Sequence, residues 1–146
     1  MKIRILLCLL TLGLAVVPGL RAQDAKKDDQ TELGAKMEKI SGAFRKLRNQ
    51  VADATKNDDS LAQVAIIKDN ATAALKLKPA KLADVPDADQ AKFIADYQAE
   101  MNKLLDAVNQ LEAALKAGKN EDAQKIYNQM GQIQKDGHSA FRKKKQ

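Results

Sequence analysis

Two side chains at opposite ends of the sequence could together bind a transition metal. They are the thioether of Met37 and the imidazole of His138, which is the only histidine in the chain. Sulfur and nitrogen donors of this kind can approach one iron atom from opposite faces, a pairing that electron-transfer proteins use to raise its potential. Both residues also fit a structural role, because methionine often fills gaps in helical cores and an edge histidine is often partly solvated.

The N-terminal segment has the features of a secretory signal peptide. Two basic residues precede an apolar run at residues 5–17, which is shorter than the ~20 apolar residues of a membrane-spanning helix. A short cleavage motif that ends at Ala22 follows, so we predict that residues 1–22 are removed on export to the periplasm. The only cysteine, Cys8, is lost with them, which excludes disulfides, iron–sulfur ligation and covalent attachment of a haem.

Charge and aromatic content argue against a nucleic-acid binder. Three of the 25 Lys and Arg residues and none of the 19 Asp and Glu residues lie in the predicted signal peptide, so its removal lowers the net charge from +6 to +3. Three Phe, two Tyr and no Trp are too few for a base-stacking surface. One histidine and no mature cysteine also exclude an ordinary zinc site. We predict no stable membrane insertion and a monomeric protein.

Four segments of the mature chain have apolar residues at helical spacing, and residues that start or stop helices separate them. The pattern predicts an all-α fold, an antiparallel up-down-up-down four-helix bundle over residues 31–146, after a disordered charged leader at residues 23–30. The first helix is expected between Thr31 and the polar cluster Lys56–Asp59, and the second between Ser60 and Pro79. The third is expected from Asp87 or Asp89 to Gly118, and the fourth from Asn120 to Phe141.

Such a topology gathers the start of the first and third helices and the end of the second and fourth at one end of the bundle. At ~1.5 Å per residue, Met37 and His138 both lie within roughly 10 Å of that end. Phe93 and Tyr97 are one turn apart and could pack on a flat macrocycle held there. The residues expected at this end are Met37, Leu75, Phe93, Tyr97, His138 and Phe141.

Short motifs in this order resemble the cytochrome b562 family. They are Met-Glu-Lys-Ile at Met37, Lys-Pro-Ala-Lys-Leu at residues 78–82, Gly-Lys followed by Asp-Ala-Gln at 118–124, and His-Ser-Ala-Phe-Arg at His138. The resemblance covers about residues 33–142. Gly137 and Gln134 differ from it, since they replace a Tyr and an Arg of the family pattern.

The resemblance implies a protein that carries single electrons and is not an enzyme. Met37 and His138 would be the axial ligands of one non-covalent haem b, and an unidentified redox protein would be the partner. The residues expected around the haem are Leu75, Phe93, Tyr97, Phe141 and Arg142. The basic run at residues 142–145 is compatible with a solvated helix end, a contact to haem propionates or an acidic redox partner.

Two other interpretations stay open at this point. One is a haem-free exported bundle that acts as a binding or structural module. The other is an enzyme with an open haem iron, which would bind carbon monoxide.

Overall fold

The computed structural model describes residues 31–143, and these residues form a helical bundle. Within them no strand is present, which confirms the predicted all-α class. The predicted signal peptide and charged leader, residues 1–30, and the last three residues, 144–146, which include the end of the basic run, lie outside the described residues. The four helices are α1 (Glu32–Leu47), α2 (Asn57–Ala74), α3 (Asp87–Lys116) and α4 (Asn120–Phe141), and two short 3-10 helices cover Ala54–Lys56 and Ala80–Asp84.

The helices pack in sequence order, α1 on α2, α2 on α3 and α3 on α4. Few backbone atoms of α1 lie close to those of α4. Side chains fill the space between these two helices, which we call the α1–α4 seam. The rings of Phe44 and Tyr127 stack there with centroids 4.4 Å apart, and the Tyr127 hydroxyl donates to the Phe44 carbonyl at 3.2 Å. The α1–α4 seam is therefore the widest in the bundle.

The predicted apolar stripes form one buried core. Removing these side chains from water is the main favourable term in folding, because burial contributes about 25 cal/mol per Å² of apolar surface. The largest fully buried apolar side chains belong to Leu47, Val51, Val64, Ile67, Val108, Leu111, Leu115 and Met130.

The first helix begins where the sequence predicts but ends earlier. The Thr31 hydroxyl accepts a hydrogen bond from the Gly34 amide at 2.9 Å, which confirms it as the N-cap. The end predicted at Lys56–Asp59 is wrong, because α1 stops at Leu47. Val51 continues the apolar periodicity beyond that end because the following turn folds back and buries it completely.

The predicted bounds of α2 are also wrong. The helix begins at Asn57, so Ser60 lies within its first turn, fully buried, and is not a cap. It ends at Ala74, five residues before Pro79. The chain then makes two turns, and Pro79 precedes the second 3-10 helix. Of the two predicted starts of α3, Asp87 is the right one.

The turn between α3 and α4 contains one confirmed prediction and one correction. Gly118 has φ = 68°, the left-handed conformation that favours glycine at a helix end. Asn120 is the first residue of α4, but it makes no capping hydrogen bond. Its amide nitrogen instead donates to the Val51 carbonyl at 2.9 Å and to Oδ1 of Asn57 at 2.7 Å. Asn57 in turn donates to the Leu115 carbonyl at 3.2 Å, so the two amides join all four chain segments at this end.

Replacing Asn120 with alanine should lower the free energy of unfolding by about 1–3 kcal/mol, because it leaves the Val51 carbonyl and Oδ1 of the half-buried Asn57 without their donor. Urea denaturation of the haem-free protein measures this change. Asn109→Ala, at an exposed position of α3, is the control and should stay within about 0.5 kcal/mol. Equal effects of the two substitutions would show that the amide pair adds nothing.

Candidate cofactor site

At the end of the bundle where α1 and α3 begin and α2 and α4 end, a cavity of about 220 Å³ opens to solvent. Side chains of α1, α3 and α4 form most of its wall, and Pro79 and Ala80 close it beyond the end of α2. The wall is mostly apolar. The predicted site residues on it are Met37, Tyr97, His138, Phe141 and Arg142.

Met37 and His138 line this cavity from the two helices on either side of the widest seam. Met37 is half-buried and packs against the core, whereas His138 is more exposed. Desolvation by the surrounding protein, followed by the positive charge of Arg142, lowers the pKa of His138. The ring is therefore neutral at pH 7 and keeps a nitrogen lone pair for a metal.

Tyr97 and Phe141 form the aromatic part of the wall. Tyr97 is buried, and its hydroxyl donates to the Ala74 carbonyl at the end of α2 at 2.9 Å. Burial raises the pKa of Tyr97 to about 12, so the phenol stays protonated. The Phe141 ring meets the Tyr97 ring edge-on, with centroids 5.6 Å apart. These contacts tie α2, α3 and α4 together beside the cavity.

Two predicted site residues do not line the cavity. Phe93 packs edge-on against Phe141, with centroids 5.3 Å apart, and is not among the lining residues. Leu75 follows the last residue of α2 and packs against the core, also outside the cavity lining. A contact of either residue with a cofactor stays a prediction from the sequence, made from the topology for Leu75 and also from the family resemblance for Phe93.

The cavity wall also contains residues that the sequence analysis did not assign to a site. Met101 and Met130 are buried in the core, and both also line the cavity. Glu100 lies on the wall with its carboxylate paired to Lys103 at 2.9 Å. It follows Tyr97 by three residues, and this spacing, which places two residues on one helix face, could have identified it.

The second 3-10 helix holds the end of α4 next to the cavity. The Lys81 ammonium donates to the Ala140 carbonyl at 2.5 Å, where a positive charge also complements the helix dipole. Lys143 pairs with Asp84 at 3.0 Å. These two contacts position the last turn of α4, which carries His138.

Gly137 lies on the cavity wall at a position that can accept a side chain. A Cβ atom there would meet Cγ of Glu100 at 3.7 Å, an ordinary van der Waals contact. Gly137→Ala should therefore raise the free energy of unfolding of the haem-free protein by up to ~1 kcal/mol through helix propensity. Urea denaturation tests this. Gly42→Ala, where a Cβ meets nothing within 4 Å, gives the reference gain, and a loss at Gly137 alone would contradict the prediction.

Residues 31–143 contain no group of three or more His, Cys, Asp or Glu side chains that could hold a metal ion. Nor does any helix of that range have the length and hydropathy needed to cross a membrane.

Comparison with known proteins gives one match. A family model described as cytochrome b562 matches residues 32–142, a range that includes all four helices and nearly the whole cavity wall. No curated protein and no solved structure is significantly similar to the chain. Because the family model covers most of the sequence and its range contains both Met37 and His138, the chain belongs to the cytochrome b562 family.

Proposed function

We propose that this protein is a periplasmic electron carrier that binds one non-covalent haem b between α1 and α4, with Met37 and His138 as its axial ligands. Membership of the cytochrome b562 family suggests a haem-binding electron-transfer bundle. The observation that carries the finer proposal is that a thioether and the only imidazole line one apolar cavity from the two sides of the widest seam.

The donor set and the wall fit a haem chemically, and the cavity must widen to hold one. Its volume of about 220 Å³ is below the ~300–1,000 Å³ of pockets for ligands of comparable size. The α1–α4 seam is where the bundle can widen with the least loss, since few backbone approaches exist there. The stacked rings of Phe44 and Tyr127 would hold the two helices together below the haem.

When bound, haem supplies a one-electron iron couple. Met37 and His138 would fill both axial positions, which leaves no open position for oxygen or substrate and favours a carrier over an enzyme. The Met37 sulfur would stabilise the reduced iron. Tyr97, Phe141 and the buried Met101 would help to keep water away from a bound haem, which would disfavour the additional charge of the oxidised iron.

Arg142 is the side chain best placed to meet a haem propionate. It lines the cavity, is exposed, and makes no ion pair with any residue from 31 to 143. Lys143 is also at the rim, but Asp84 already pairs with it. Guanidinium groups form strong two-pronged hydrogen bonds with carboxylates, so Arg142 would fix the orientation of the haem.

A haem-free binding module is the second candidate, and the volume of the cavity is the observation that favours it. The periplasmic location depends on the signal-peptide pattern of residues 1–22, and an exported electron carrier needs a protein that donates electrons and one that accepts them. We propose a monomer that meets these partners one at a time.

Visible spectroscopy of residues 23–146 mixed with haemin separates these candidates. Sharp low-spin bands after reduction, in a one-to-one complex, support the cytochrome. High-spin bands that shift on addition of carbon monoxide would indicate an open iron and an enzyme. A spectrum identical to that of free haemin would leave only the haem-free module.

A further inference from the structure

All the thioethers and the only imidazole of residues 31–143 line the same cavity. Met37 comes from α1, Met101 from α3, and Met130 and His138 from α4. The proposed axial pair accounts for Met37 and His138. It does not use the thioethers of Met101 and Met130, which line the same wall and are both buried.

Contacts between the helices show which of these donors lie at the same height, that is, at the same position along the bundle axis. On α3, Glu100 lies opposite Gly137 of α4, because a Cβ at Gly137 would meet Cγ of Glu100 at 3.7 Å. Met101 is the next residue on α3, so it lies at the height of Gly137 and His138.

The height of Met37 follows from the stacked rings of Phe44 and Tyr127, which lie between α1 and α4. Phe44 lies opposite Tyr127 and within 3.8 Å of a Cβ placed at Gly131. Met37 precedes Phe44 by seven residues on α1, and Gly137 follows Gly131 by six residues on α4. Because the two helices are antiparallel, Met37 lies at about the height of Gly137. Met130 lies eight residues from His138, ~12 Å along α4, and so belongs to a lower layer.

From this layering we propose that the cavity is also a site for one soft monovalent cation, Cu(I), held by the sulfur atoms of Met37 and Met101 and a ring nitrogen of His138. The site shares two donors with the proposed haem site and does not depend on it. Haem and Cu(I) would therefore exclude each other, so the cation would bind the haem-free protein.

The surroundings favour this cation over harder ones. Thioethers are soft ligands that select Cu(I), whereas Mg²⁺, Ca²⁺ and Mn²⁺ prefer carboxylates and carbonyls. Among the described residues, Glu100 is the only carboxylate on the cavity wall, and Lys103 already pairs with it. The cationic side chains of Arg142 and Lys143 at the rim disfavour a divalent ion more than a monovalent one. An ion also fits in about 220 Å³ without any widening of the bundle.

The test is a Cu(I) titration of haem-free residues 23–146 under ascorbate, in competition with a coloured Cu(I) chelator. We expect one Cu(I) per chain. Met101→Leu and Met37→Leu should each lower the affinity by at least about ten-fold, the size of effect typical of changes around a metal site. Met130→Leu, the matched control one layer below, should leave the affinity unchanged. Leucine nearly preserves the side-chain volume, so all three variants should fold, which circular dichroism checks.

Absence of one-to-one binding by the unsubstituted protein would overturn the proposal. So would an equal loss of affinity in the Met101→Leu and Met130→Leu variants, because the donors would then not form one layer. Haemin titration of the same variants keeps the two proposals distinct. Met101→Leu should retain the low-spin haem bands while it loses Cu(I), and Met37→Leu should lose both.

Discussion

His138→Ala is expected to remove most of the haem from the protein, with a fall in haem affinity of at least about 100-fold, or about 2.8 kcal/mol. The substitution deletes the only imidazole in the chain, and no cysteine or second histidine of the mature sequence can replace it. His138 lies near the end of α4 at the mouth of the cavity, so its loss should leave the core intact. Titration with haemin, followed by absorbance, measures the effect.

Ser139→Ala is the matched control for this experiment. Ser139 is the next residue on α4, is exposed, and does not line the cavity. The control should bind haem as the unsubstituted protein does. Free imidazole added to the His138→Ala variant should restore part of the low-spin spectrum, which a purely structural role of the histidine would not allow. Unchanged haem affinity in the variant would rule out His138 as a ligand.

The helices of this protein could be predicted from the spacing of apolar residues, but several of their ends could not. Apolar periodicity reports burial, and Val51 is buried by a turn as completely as any helical residue. The pattern therefore extended the first helix beyond its true end at Leu47. Ser60 and Asn120 have the side chains of typical caps, yet one is enclosed by packing and the other bonds across the bundle to Asn57.

Topology alone was enough to predict that Met37 and His138 lie at the same end of the bundle, where the cavity is. Helix lengths and connections place the start of α1 beside the end of α4, which brings Met37 and His138 to one cavity without any knowledge of side-chain packing. The remaining lining residues depend on the rotation of each helix, which spacing fixes only to within a residue or so. Phe93 and Tyr97 are four residues apart, but Tyr97 lines the cavity and Phe93 instead contacts the ring of Phe141.

Met37→Ala should lower the reduction potential of the bound haem by on the order of 100 mV, because axial ligands set potentials over a range of about 0.8 V. The sulfur that stabilises reduced iron is lost, and the small side chain leaves an open coordination position. Potentiometric titration measures the first effect, and carbon monoxide binding to the reduced protein measures the second. Haem should remain attached through His138, so the variant separates the effect of Met37 on the reduction potential from its effect on haem binding.

The controls for Met37→Ala must account for the other thioethers on the wall. Met130→Ala removes a sulfur of the same cavity one layer lower, so it should reduce stability but not open the iron. Met101 lies at the height of Met37, and its sulfur could replace the missing ligand. Met37→Ala is therefore also made together with Met101→Leu. If the doubly substituted protein kept both a closed low-spin iron and an unchanged potential, no thioether would be needed there, and ligation by Met37 would be wrong. An iron that opens only in the double variant would show that Met101 takes the place of Met37, and the open position predicted for the single variant would then be wrong.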